Sequence, residues 1–279
     1  MALAPARGAA IGATAIQIFT TSPNQWRART VTAVEAEAFR MALAASPIRA
    51  VVAHDSYLSN LASPDPTLWR RSVDAFVTEL ERCRVLGIPF VVSHPGNYRA
   101  DRVTGLARNA RGYAHALAAV PDVGVLIEGT AGAGTALGAS FTELAALRAA
   151  IPPPLRDRVG VCLDTAHLHA AGYHLREGWE MTWRAFERTV GFAQLKCLHL
   201  NDSAARRGSR LDRHEWIGDG TIGPEPFRRL MREARFAGVI KIIETPKRDD
   251  PVRHDRRMLR RLRGYARHIS GREIEAIEG

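Results

Sequence analysis

The stretch VGVCLDTAHLHAAGY, residues 159–173, decides the fold. Its apolar residues Val159, Val161, Cys162 and Leu163 stop at a carboxylate, Asp164, and an imidazole follows at His167. A short apolar run ending in polar residues is how an interior parallel strand reads when it delivers side chains to one rim of a sheet. Carboxylate oxygen and imidazole nitrogen are also ligands for Zn2+ or a similar divalent ion. Alone, D-x-x-H is weak, because a capped strand end with a hydrogen-bonded His is the more ordinary explanation. The same event recurs along the chain, and the recurrence carries the argument.

Working outward from 159–164, six more strands are expected, at 15–19 (AIQIF), 49–53 (RAVVA), 89–92, 123–127, 196–198 and 239–243 (VIKII). Between them, residues 32–45, 65–87, 106–119, 141–150, 181–195, 226–234 and 252–268 read as helices. In 65–87 the residues Val73, Phe76, Val77, Leu80 and Cys83 share one face, and Gly87 closes the helix. Alternating strands and helices predict a parallel sheet covered by helices. No linker or composition break interrupts residues 1–279, which predicts one domain. The length of 279 residues suits a (β/α)8 TIM barrel of the α/β class, which typically takes about 250. Seven strands leave that barrel without its first strand, and the first thirteen residues read as the helix that would follow it.

Lys and Arg number 39 against 29 Asp and Glu, a net charge of +10 with a pI near 10.3. That balance suits a polyanion, nucleic acid above all, though a membrane surface or plain solubility would also fit. Cys83, Cys162 and Cys197 lie in apolar company with no C-x-x-C, the pattern of reduced, buried thiols. No apolar run approaches the roughly 18–20 residues of a membrane span, and the Ala-rich N-terminus lacks a signal peptide's dense apolar core. A cytoplasmic protein that does not meet a membrane is expected.

Six of the seven strands end in a potential metal ligand: His54, His94, Glu128, Asp164, His199 and Glu244. In a (β/α)8 barrel those ends converge on one rim, where active sites are built. Buried carboxylates are costly unless a cation neutralises them. With His167, Asp212 and His214 read as loop residues, nine ligands are available. A catalytic metal takes about three protein ligands and a water, so nine suit two or three ions, with a carboxylate such as Glu128 able to bridge.

On these residues the chain resembles the endonuclease IV family of apurinic/apyrimidinic (AP) endonucleases. The motifs are HDSYLSNL (54–61), SHPGNY (93–98), IEGTAGAG (127–134), VCLDTAHLHAAGY (161–173), HLNDS (199–203), DRHEWIGDGTIG (212–223) and IETP (243–246). The resemblance implies a barrel carrying three Zn2+ that cleaves double-stranded DNA on the 5′ side of an abasic site. Such an enzyme leaves a 3′-hydroxyl and a 5′-deoxyribose phosphate, and trims blocked 3′ ends. It would place His54, His94 and Glu128 on one zinc. Glu128 would bridge to a second zinc held by Asp164, His199 and Glu244, and His167, Asp212 and His214 would hold the third. Phosphodiester hydrolysis needs an activated water at neutral pH and stabilisation of a leaving alkoxide, which such ions supply. Glu128 would be the catalytic proton acceptor.

For DNA, the resemblance points to Tyr57 and Leu58 and to the loop containing Gln25, Trp26 and Arg27 as side chains entering the minor groove. Arg206, Arg207, Arg210 and Arg213 suit phosphates. The Arg-rich run 253–267 reads as a solvated helix face, and a monomer is expected. The chain departs from the family at Gly129, Ala133 and Ala204, where Asn, Gln and Lys are usual, and in having no opening G-x-H-x-S strand. A start codon placed too far downstream would account for that strand, and two open strand edges would follow. The alternative function is a metal-dependent sugar isomerase or epimerase of the related xylose-isomerase-like barrels, which needs no His167–Asp212–His214 set.

Overall fold

Seven parallel strands form the wall of a barrel in the computed structural model, which describes residues 1–26 and 29–267. They are β1 (Ala15–Ile18), β2 (Ala50–His54), β3 (Phe90–Ser93), β4 (Gly124–Gly129), β5 (Val159–Asp164), β6 (Leu195–His199) and, after a two-strand hairpin, β9 (Ile240–Ile242). They are hydrogen-bonded in that order. The hairpin pairs β7 (Asp202–Ser203) with β8 (His214–Glu215). Strands β4 and β5 are buried along their whole length, as expected of strands covered by helices outside and packed side chains within. Val52, Val92, Leu126, Cys162, Cys197 and Ile242 form one apolar layer of their own. The larger core, including Phe39, Phe76, Tyr113, Trp183 and Phe227, packs helices onto the sheet. Each such buried large side chain contributes roughly 1.5–3 kcal/mol.

The helices are α1 (Ala4–Ala10), α2 (Ala33–Ala44), α3 (Pro66–Leu86), α4 (Arg102–Ala119), α5 (Phe141–Ala149), α6 (Pro153–Arg156), α7 (Thr165–Ala171), α8 (Trp179–Thr189), α9 (Pro224–Arg232) and α10 (Pro251–Ala266). Their ends follow side-chain chemistry. Thr32 and Glu35 make a reciprocal capping box at α2, and Asp65 accepts from the N–H groups of Thr67 and Leu68 at α3. Gly87 ends α3 in the left-handed region, at φ +74°. Three expectations need correction. Helix α4 starts at Arg102 rather than 106, because the Asp101 side chain caps it at Thr104 N. Residues 181–195 are not one helix: α8 stops at Thr189, Gly191 takes φ +89°, and a single 3-10 turn leads into β6. Residues 165–171, expected as loop, are the helix α7.

The expected gap is present. Strands β1 and β9 sit side by side but are not hydrogen-bonded to each other, and every residue of β1 is only half-buried. A cleft of about 570 Å3 opens along this seam between Ile16, Gln17, Ile242 and Glu244. The Arg-rich helix α10 is more than a solvated face. It buries Met258 and Leu262, Arg256 donates to the Ala10 carbonyl at 2.8 and 3.0 Å, and Arg263 donates to that of Gly12. These arginines tie the chain entering β1 to α10. Among the described residues no helix is long and apolar enough to cross a membrane.

Candidate metal centre

The parallel register brings the ligands to one rim. His54, Asp164 and His199 are the last residues of β2, β5 and β6, Glu128 is the penultimate residue of β4, and Asp164 pairs with His199 across the β5–β6 ladder. His94 follows β3 directly, and Glu244 stands two residues past β9. His167 is not a loop residue but lies in the first turn of α7. Asp164 Oδ1 caps that helix by accepting from Ala166 N and His167 N at 2.6 and 3.1 Å. His214 lies on β8, so Asp212 alone of the three comes from a loop. The turn that delivers His214 is folded around the buried Asp202 carboxylate, which accepts from the N–H groups of Ser203, Gly218, Ile222 and Gly223. Gly220 packs so close that a Cβ there would stand 2.5 Å from Asp202 Oδ1.

All nine expected ligands meet. His54, His94 and Glu128 form one group, Glu128, Asp164, His199 and Glu244 a second, and Asp164, His167 and His214 a third. In each, the candidate donor atoms lie within 4.8 Å of one another. Asp212 completes the third, its carboxylate 3.2 Å from His167 Nε2 and 3.1 Å from His214 Nε2. Glu128 belongs to two groups, as a bridging residue would. So does Asp164, which the family resemblance placed in the second group only.

Hydrogen bonding on the far side of each ring decides what the near side offers. His54 Nδ1 donates to the Asp55 carbonyl (2.8 Å), His167 Nδ1 to that of Gly129 (2.9 Å) and His214 Nδ1 to that of Glu244 (3.2 Å). His199 Nε2 donates to Gln17 Oε1 (2.8 Å). Each of these four rings thereby presents its other nitrogen to the carboxylates, the arrangement that fixes a histidine as a metal ligand. Carboxylate oxygens of Asp212 and Asp164 flank the buried His214 Nε2 at 3.1 and 3.6 Å, and among the described residues none is aligned to accept a well-formed hydrogen bond from it. Four carboxylates against five imidazoles, with oxygen and nitrogen but no sulfur among them, fit hard to borderline divalent ions such as zinc.

The electrostatics agree with that fit. Burial alone would raise the Glu128 carboxyl, but His94, His199 and His54 around it hold it well below the usual range. Burial opposes charge on His167 and His214, yet Asp164 and Asp212 raise them to about 10 and about 9. Glu244, despite burial, is held at about 2, chiefly by His199. Carboxylates this strongly biased toward the charged form are poised for cations.

Two side-chain partners were not read from the sequence. Gln17 Nε2 donates to Glu244 Oε1 at 2.6 Å, Asn201 Nδ2 donates to Asp164 Oδ2 at 2.6 Å, and Asn201 Oδ1 accepts from Glu244 N. A lone polar residue inside the apolar run AIQIF was the available signal for Gln17. Asn201 sits two residues past His199, and so on the same face of an extended chain. The Gly129 carbonyl is a backbone partner, as are those of Asp55 and Glu244. Where the family carries Asn, a Cβ at Gly129 would stand 3.1 Å from the Leu163 side chain.

The residues expected to meet DNA are spread around this rim. Tyr57 is 57% exposed, with its ring 5.7 Å from that of His54 and 6.4 Å from that of His94. Leu58 is half-buried, and Gln25 and Arg213 are exposed. Arg27 lies outside the described residues. Trp26 is half-buried, with the Arg71 guanidinium 4.3 Å above its ring. Arg207 is partly committed to the Gly172 carbonyl.

Residues 5–262 match the family model described as xylose isomerase-like TIM barrel. The chain is 46% identical over 252 residues to a protein of Geobacter sulfurreducens named "probable endonuclease 4", covering 88% of this chain and 84% of that one. It is 46% identical over 265 residues to one of the same name from Chloroflexus aurantiacus, covering 92% and 91%. Endonuclease IV from Thermus thermophilus superposes with a TM-score of 0.84 at 38% identity, over 95% of this chain and 93% of that one. A D-tagatose 3-epimerase-like protein, at 16% identity and a TM-score of 0.68, shares the fold. With its barrel, its rim of ligands and these relatives, the chain belongs to the endonuclease 4 family of xylose isomerase-like TIM barrels.

Proposed function

We propose that this chain is a single-domain, monomeric DNA-repair endonuclease that binds three zinc ions. It hydrolyses the phosphodiester on the 5′ side of an abasic site in duplex DNA, leaving a 3′-hydroxyl and a 5′-deoxyribose phosphate, and trims blocked 3′ ends. The observation that carries this reading is the set of imidazoles pinned on one nitrogen and turned with the other toward shared carboxylates. His54 and His94 with Glu128 would hold one ion. Asp164, His199 and Glu244, again with Glu128, would hold the second, and His167, Asp212 and His214 the third. When bound, the ions supply water activation at neutral pH and positive charge against the phosphate and the leaving oxygen.

The chain's own groups do the rest. Glu128 would accept the proton from the attacking water, since its carboxylate is kept ionised by the surrounding imidazoles. Gln17 and Asn201 hold Glu244 and Asp164 in place. Tyr57, Leu58 and Gln25 would occupy the minor groove at the lesion, and Arg213, with the +10 net charge, would meet phosphate. A sugar isomerase would leave the His167–Asp212–His214 group without a task. The test is nicking of a duplex carrying one abasic site by the purified protein, with and without chelator. Cleavage 5′ to the site that is abolished by chelator is expected; isomerisation of a sugar with no nicking would overturn the reading.

A further inference from the structure

Cys162 and Cys197 stand opposite each other on β5 and β6, and both are fully buried. Side chains two residues apart on a strand share a face, so Cys162 lies one layer beneath Asp164, and Cys197 one layer beneath His199. The other members of that layer are apolar: Val52, Val92, Leu126 and Ile242. One sulfur from each cysteine and a ring nitrogen of His199 lie within 4.8 Å of one another. Metal–sulfur and metal–nitrogen bonds of about 2.3 and 2.0 Å reach three atoms spaced like this. The third thiol, Cys83, sits on α3 outside the cluster.

The donor set differs in kind from the rim above it. Two thiolates are soft ligands and the imidazole beside them a borderline one, whereas the rim offers carboxylates and imidazoles with no sulfur. Two thiolates also cancel the charge of one divalent ion, which an apolar layer requires of anything it buries. We propose that Cys162, Cys197 and His199 form a further metal site, separate from the three on the rim and one layer inside the barrel, selective for soft divalent ions such as Cd2+ or Hg2+. Binding replaces the two S–H protons, which pass to solvent. Because His199 is common to both layers, a soft ion here competes for a ligand of the rim, which makes the site a route by which such ions poison the protein.

The probe is Cd2+ added to the full-length protein as purified, followed by the ultraviolet thiolate-to-cadmium charge-transfer band. The wild type is expected to saturate at one thiolate-bound Cd2+ per chain. Cys162→Ser and Cys197→Ser should each weaken that binding at least tenfold, while Cys83→Ser leaves it unchanged. Cadmium-113 NMR of the wild type needs no variant to fold: a resonance in the thiolate range supports the site. Resonances only in the oxygen and nitrogen range, or a band that survives both serine substitutions, would overturn it.

Discussion

Glu128 is where the chemistry converges at the scale of single residues. It is 1% exposed, and His54, His94 and His199 approach its two oxygens at 3.0–3.1 Å. Glu128→Gln keeps the shape and loses the charge. It is expected to lower cleavage of an abasic duplex by about 10²–10⁴-fold, the usual scale for a lost proton acceptor. Binding of that duplex should stay within a few-fold, since on the proposed reading DNA would be held by the rim loops and by phosphate contacts; single-turnover nicking beside a gel-shift titration checks both, and an unchanged rate removes Glu128 from its role. Six of the nine expected ligands were legible because a His, Asp or Glu at the end of an apolar strand is conspicuous, whereas His167, Asp212 and His214 carry no such mark and were expected as a metal group from the family resemblance. The groups that orient them were harder to see. The carbonyls of Asp55, Gly129 and Glu244 belong to the backbone, which every residue has, and only the fold brings them to an imidazole.

One carboxylate links a helix to the centre at the scale of elements. Asp164 Oδ1 caps α7, while Oδ2 takes Asn201 and faces His199 and His214. Asn is as good a helix cap as Asp but a poor metal ligand. In chelator, Asp164→Ala should therefore melt below wild type by about 1 kcal/mol, roughly 2–4 °C, while Asp164→Asn stays close to it. On adding zinc, both should gain less than wild type. Calorimetry with and without chelator checks this; equal loss in both variants without metal would show that the cap contributes nothing. Helices α2 and α3 were readable to within a residue at each end, α3 by its one-sided apolar face and the closing Gly87. Helix α7 was not, because six of its seven residues are buried and no polar face marks a period.

At the scale of the molecule the weak line is the seam between β1 and β9. Sheet edges without a hydrogen-bonded neighbour open more readily than paired strands. Backbone amides of 15–18 and 240–242 are expected to exchange with deuterium at least tenfold faster than those of the fully buried β4 and β5. Arg256→Ala with Arg263→Ala should widen that difference by releasing the carbonyls of Ala10 and Gly12. Uniform protection across all seven strands would mean that the seam is closed in solution. Counting strands placed this gap correctly from the sequence. The clamp by α10 was hidden, because a run of arginines reads as a solvated face until the carbonyls they reach are known.

The claim on which the account rests is that nine side chains from the ends of six strands and from the segments that follow them make three adjoining metal sites on one rim. Elemental analysis of the purified protein, corrected for chain concentration, tests it most directly. About three metals per chain, mostly zinc, are predicted from about three protein ligands per ion. One metal per chain, with the His167–Asp212–His214 group empty when zinc is in excess, would contradict it.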